Sequence, residues 1–255
     1  MGSAILRGLI DHEKTSPSLV TVYDPSDVCR SEAAKLGVGI ADTAGGLVAA
    51  CDALVIAVKP QQFEEAIGPV ADGLDDSAIA ISIMAGVSIA EIEKALPNVA
   101  RIARVMPNLP AVVGAGASGI AYSAACDEAD RALVRTIFEA VGVVEEVEET
   151  ALDAVTAVSG SGPAYFFYLV ECMAAAGEAE GLDRAQAERL AAQTAYGAGV
   201  MMHQSSESPG TLRERVTSKG GTTFAALEAF RANDLAGVVG AGVRAAADRS
   251  RELGT

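Results

Sequence analysis

The chain has 255 residues, 50% of them hydrophobic, and a formal charge of −15 from 19 basic and 34 acidic side chains. That is enough apolar material for one large domain or two ordinary ones, which excludes disordered, collagen-like and disulfide mini-protein classes. The acidic balance, with no local Lys/Arg cluster, excludes nucleic acid and anionic membrane as partners, and the uncharged stretches are broken by Gly, Pro or Ser before they reach a membrane span of roughly 18 apolar residues.

Residues 1–10 have a helical pattern. Strands are expected over 19–23, 53–58, 78–83 and 100–105, where β-branched and aliphatic residues cluster, with helices between them near 25–36, 43–50, 61–68 and 88–96. This alternation is the βαβ pattern of a parallel sheet covered by helices on both faces, and the 53–58 and 78–83 runs are apolar enough to be central strands. Runs at 119–122 and 143–147 flank a helix near 126–141 and extend the sheet. After Val147 the strand signals stop. The remainder reads as helices broken at Gly160-Ser161-Gly162-Pro163, at Gly181, over 205–210 and at Lys219-Gly220-Gly221. The expected division is an α/β Rossmann-like domain over 1–147 and an all-α domain over 148–255.

A dinucleotide-binding unit ordinarily opens with a strand and a glycine-rich turn, yet this chain opens with a helix. If Gly2 is the last small residue of such a turn, Asp24 falls near the offset of about 20 at which an acid meets the adenosine ribose. Either a first strand is missing, or residues 1–10 are simply a first helix and the spacing is chance. A missing strand would leave two neighbouring strand edges unpaired and would weaken dinucleotide binding.

In the helical half, Ser218-Lys219-Gly220-Gly221-Thr222-Thr223 precedes a helix carrying Phe224, Leu227 and Phe230 on one face. The turn is either a plain Gly-Gly connection capped by Thr222 or Thr223, or an anion site built from free backbone N–H groups and the positive end of the helix. Gly160-Ser161-Gly162-Pro163-Ala164-Tyr165 repeats the theme. The helix it opens is apolar on several sides, which predicts burial in a core or cover by another subunit. Cys29, Cys51, Cys126 and Cys172 are scattered, so reduced, cytosolic thiols are expected; His12 and His203 read as surface residues, and no zinc site is foreseen.

Together, Ala57-Val58-Lys59-Pro60, Arg104-Val105-Met106-Pro107-Asn108-Leu109-Pro110-Ala111, Ser159-Gly160-Ser161-Gly162-Pro163-Ala164-Tyr165 and Val216-Thr217-Ser218-Lys219-Gly220-Gly221-Thr222-Thr223 resemble the pyrroline-5-carboxylate reductase family across essentially the whole chain. The resemblance implies reduction of 1-pyrroline-5-carboxylate to L-proline with NADPH or NADH in the cytoplasm. It places the substrate carboxylate against Ser218, Gly220, Gly221, Thr222 and Thr223, and the cofactor against Met1, Gly2, Asp24, Ala57, Val58, Lys59, Pro60, Met84, Ala85, Gly86 and Asn108. It also implies a homodimer and a larger ring of dimers. Of the family's opening glycine turn only Met1 and Gly2 remain, and Lys219 stands where many members carry Pro.

No strong general acid stands out; Tyr168 or a water is the candidate proton source. The carboxylate of Asp24 favours NADH, because it would accept from a ribose 2′-hydroxyl and repel a 2′-phosphate. Two rivals remain at this level: a non-catalytic helical oligomer, against which the intact glycine turn argues, and another nicotinamide oxidoreductase acting on hydroxyacids or imines.

Overall fold

The computed structural model describes residues 1–48 and 51–254. The chain divides into two compact units, Met1–Ser161 with Ala246–Thr255, and Gly162–Ala245.

The first unit opens with helix α1 (Gly2–Asp11). A short parallel pair follows, β1 (Thr21–Val22) with β2 (Gly39–Ile40), joined by α2 (Asp27–Ala34). The expected strand over 19–23 is shortened because Pro17 fixes φ and starts a 3-10 turn at Pro17–Leu19. β2 was not anticipated, since two residues carry no readable periodicity. The helix expected over 43–50 is a single turn, α3 (Ala44–Leu47), capped by Thr43; positions 49 and 50 lie outside the described residues.

The main sheet has the order β3 (Ala53–Ile56), β4 (Ile79–Ser82), β5 (Arg101–Met106), β6 (Gly116–Tyr122), β7 (Gly142–Glu146). All neighbours are parallel except β5 and β6. The two sheets share no ladder among the described residues, so β3, expected to be a central strand, stands at an edge.

Period-two alternation decides which helices cover which face. Leu54, Ile56, Ala80 and Ile102 pack with Phe63, Ile67 and Val70 of α4 (Phe63–Ala71) and with Ile89 and Ile92 of α5 (Ile89–Ala95). The alternate positions Ile79, Ile81, Ala103, Val105 and Ile120 pack with Ile5 of α1 and with Val134, Ile137 and Phe138 of α6 (Glu128–Glu139). Each fully buried aliphatic side chain contributes about 1.5–3 kcal/mol of transfer free energy. α1 is anchored at its far end too: His12 Nδ1 donates to the Ala140 carbonyl at 2.8 Å, which gives this histidine a structural role that composition did not suggest.

After β7 the chain turns helical: α7 (Leu152–Val155), a π-turn (Thr156–Gly160) and then the second unit. That unit contains α8 (Gly162–Ala179), α9 (Arg184–Gln204), α10 (Pro209–Arg215), α11 (Thr222–Ala232) and the start of α12 (Leu235–Leu253). Its own buried cluster is small, Ala174, Ala187 and Ala191 with Val170 beside them. Phe166, Phe167 and Tyr168 of α8 are each more than half exposed, as are Tyr196 and Val238. No described helix is long and apolar enough to cross a membrane.

Candidate functional site

β3, β4 and β5 run in one direction, so Ala57-Val58-Lys59-Pro60, Met84-Ala85-Gly86 and Pro107-Asn108 all emerge at the carboxyl edge of the sheet, where open α/β sheets bind ligands. α1 begins at the same edge, since a Cβ on Gly2 would lie 3.0 Å from Ala57 Cβ. No side chain caps α1, and the Ala4 and Ile5 amides bind the Met1 carbonyl at 2.8 and 3.1 Å. The first-turn donors left without a protein partner among the described residues are therefore the amides of Gly2 and Ser3, a pairing suited to phosphate.

The remaining residues at this edge divide by what their side chains already do. Ala57, Lys59 and Ala85 are exposed. Gly86 adopts φ 80°, and a Cβ there would come within 2.9 Å of the Leu253 carbonyl, so glycine is required twice over. The Met84 side chain is buried in the core, which leaves only its backbone for a ligand. Asn108 is buried, and its amide bonds the Ser159 carbonyl and the Ala117 N–H.

Asp24 Oδ1 accepts from the Ser26 N–H at 2.8 Å, forming the turn that starts α2. Arg30, one helical turn into α2, donates to the Asp24 carbonyl and pairs with Asp27. Sequence reasoning missed Arg30. Its signal was an arginine six residues beyond the acid, at the point where a helix turns back toward it. The corner thus offers both an acceptor for a ribose hydroxyl and a cation for a 2′-phosphate, which weakens the case for NADH made from Asp24 alone.

In the second unit, the turn at 218–221 closes through the Gly221 N–H donating to the Ser218 carbonyl at 3.0 Å, with Gly220 at φ 75°. Gly221 is the N-cap of α11, and no side chain caps the helix. The expectation that a threonine caps it is corrected: Thr222 and Thr223 are the first two helical residues, because the backbone turn places glycine at the cap. The Thr222 and Thr223 amides consequently have no protein partner among the described residues, and both hydroxyls sit beside them. Such an end binds a carboxylate through N–H groups and helix dipole together. Tyr168 lies on α8 with 68% of its surface open.

Comparisons with known proteins place the chain among relatives of one family. The model of pyrroline-5-carboxylate reductase dimerisation matches residues 149–253, and that of NADP oxidoreductase, coenzyme F420-dependent, matches residues 1–86. Pyrroline-5-carboxylate reductase of Methanosarcina acetivorans is 37% identical over 100% of this chain and 94% of that protein. That of Synechocystis is 38% identical over 100% and 95%. Among solved structures, the reductase from Coxiella burnetii superimposes with a TM-score of 0.96 at 34% identity, covering 100% of this chain and 95% of that one. The Plasmodium falciparum enzyme, solved with NADP bound, gives 0.85 at 29% identity over 100% and 95%. With near full-length relatives above 35% identity, a Rossmann-like sheet and an all-helical second unit, this chain belongs to the pyrroline-5-carboxylate reductase family.

Proposed function

We propose that this chain reduces 1-pyrroline-5-carboxylate to L-proline with NADPH or NADH, the last step of proline synthesis, in the cytoplasm. The observation that carries the reading is the uncapped start of α11 behind Gly220 and Gly221. It supplies amide donors and two hydroxyls for the acid group of a small cyclic imine.

The residues at the carboxyl edge of the sheet suit a nicotinamide dinucleotide. The Gly2 and Ser3 amides would take phosphate, Asp24 and Arg30 the adenosine ribose, and the small exposed positions Ala57 and Ala85, with Gly86 and Lys59, the nicotinamide half. When bound, that cofactor supplies the hydride.

The chain's own residues hold the imine. Gripping the carboxylate at α11 fixes the ring, and positioning of this kind contributes up to roughly 7–11 kcal/mol to lowering a barrier. The imine nitrogen must carry a proton for its carbon to accept hydride. Tyr168 stands open to solvent on α8, and a bound water is the proton source we assign.

The exposed aromatics of α8, together with the dimerisation match over 149–253, support a homodimer, and a ring of such dimers is part of the same proposal. The deciding measurement is loss of nicotinamide absorbance on adding 1-pyrroline-5-carboxylate, with proline identified as product and a hydroxyacid panel inert. Turnover of a hydroxyacid but not of the imine would overturn the assignment.

A further inference from the structure

Asn108 is 8% exposed, and both ends of its amide are engaged: Nδ2 donates to the Ser159 carbonyl at 3.0 Å, and Oδ1 accepts from the Ala117 N–H at 2.9 Å. Each partner lacks a regular one for a reason written in the sequence. β5 ends at Met106 because Pro107 has no N–H to give the ladder. The register that pairs Met106 with Gly119 brings Asn108 opposite Ala117 two residues on, so a side chain continues the β5–β6 ladder where the backbone has stopped.

On its other side Asn108 meets the π-turn Thr156–Gly160, which closes through the Ser161 N–H donating to the Thr156 carbonyl at 2.8 Å. Four residues beyond Ser159 stands Pro163, which cannot offer the N–H that an α-helix would supply to the Ser159 carbonyl. Asn108 supplies that donor instead. Glycines let the parts approach: a Cβ on Gly160 would lie 2.8 Å from Met106 Cε, and one on Gly119 would lie 2.7 Å from the Val155 side chain.

We propose that Asn108 is a positioning residue, not a cofactor contact. It locks the π-turn onto β6 and so fixes Ser159, Gly160 and Ser161, the last residues of the first unit before the chain enters the helical one. A π-turn carries one residue more than an α-helix accommodates and persists where tertiary contacts hold it. Without the lock the segment 156–161 loses its fixed conformation. The kinetic half of this inference rests on the imine-reductase reading; the structural half does not.

The test is hydrogen exchange by mass spectrometry on the ligand-free chain, for Asn108→Ala, Asn108→Asp and Asn108→Ala combined with Pro163→Ala, beside steady-state kinetics. Loss of one buried donor should speed exchange over 156–163 on the order of tenfold in both single variants, since aspartate keeps the acceptor for Ala117 but loses the donor for Ser159. The double variant, which restores an N–H four residues past Ser159, should recover part of that protection. In turnover, kcat should fall while KM for NADPH holds. Unchanged exchange over 156–163 would overturn the proposal, as would a KM for NADPH that rises in step with the loss of kcat, the mark of a cofactor contact. A wild-type chain inert toward the imine would sink the proposed function, while the exchange data would still decide the lock; if Asn108→Ala does not fold, Asn108→Asp bears the same comparison.

Discussion

Thr223 sits two residues past the capping glycine of α11, where its hydroxyl joins the free amides. Thr223→Val keeps the shape and removes one donor, so affinity for a proline analogue should fall by about 1–3 kcal/mol in calorimetric titration. Undiminished binding would take this side chain out of the site. Arg30 and Asp24 bring charges of opposite sign to one corner, which the proposed function assigns to the adenosine ribose. Arg30→Ala should raise KM for NADPH more than for NADH, and Asp24→Asn should lower KM for NADPH; equal effects on both cofactors would show that the corner does not choose between them. Away from the site, burial pushes the Tyr122 phenol up to about 12 from its ordinary 10.0. The folded state therefore holds that proton longer than the unfolded one, so this stabilisation is complete below pH 10.0 and is lost as pH rises toward about 12, a loss that Tyr122→Phe should lessen in alkaline unfolding curves. The glycine turn ahead of α11 was legible because its geometry is local, whereas the engagement of Asn108 and the approach of Arg30 were not, since each depends on a partner that only folding supplies.

At the level of elements, β3 and β4 could be read directly from runs that are almost wholly apolar, and β5 from Ile102, Ala103 and Val105 around its two arginines. β2 and α3 could not, being two and four residues long and held by pairing and capping rather than by pattern. The π-turn was equally hidden, since nothing in its composition separates it from α-helix; Asn108 and the Met106–Gly160 approach impose it. α1 offers an element-scale test. A Cβ on Gly8 would stand 2.7 Å from the Ala140 carbonyl and closer still to Val141 Cγ1, so Gly8→Ala must push the helix off Ala140 and Val141, which follow α6. The expected cost is about 1–3 kcal/mol in denaturant unfolding, typical of overpacking, and a neutral result would mean that α1 shifts freely.

For the molecule as a whole, the second unit buries little of its own apolar surface and leaves Phe166, Phe167 and Tyr168 open. Light scattering should find at least two copies per particle, and Phe167→Glu should dissociate them; an unaltered mass would place the interface elsewhere. The division into an α/β half and a helical half was legible from the point where strand signals stop, whereas the return of residues 246–254 to the first unit was not, because α12 carries no break to announce it.

That return has a practical side. Ser250 Oγ donates to Asp153 Oδ1 at 2.6 Å, and the Leu253 carbonyl rests against Gly86, so the final turn of α12 props the loop that follows β4. Bulk introduced on this last helical turn would therefore be felt at Ala85 and Gly86, far away in sequence but adjacent in space.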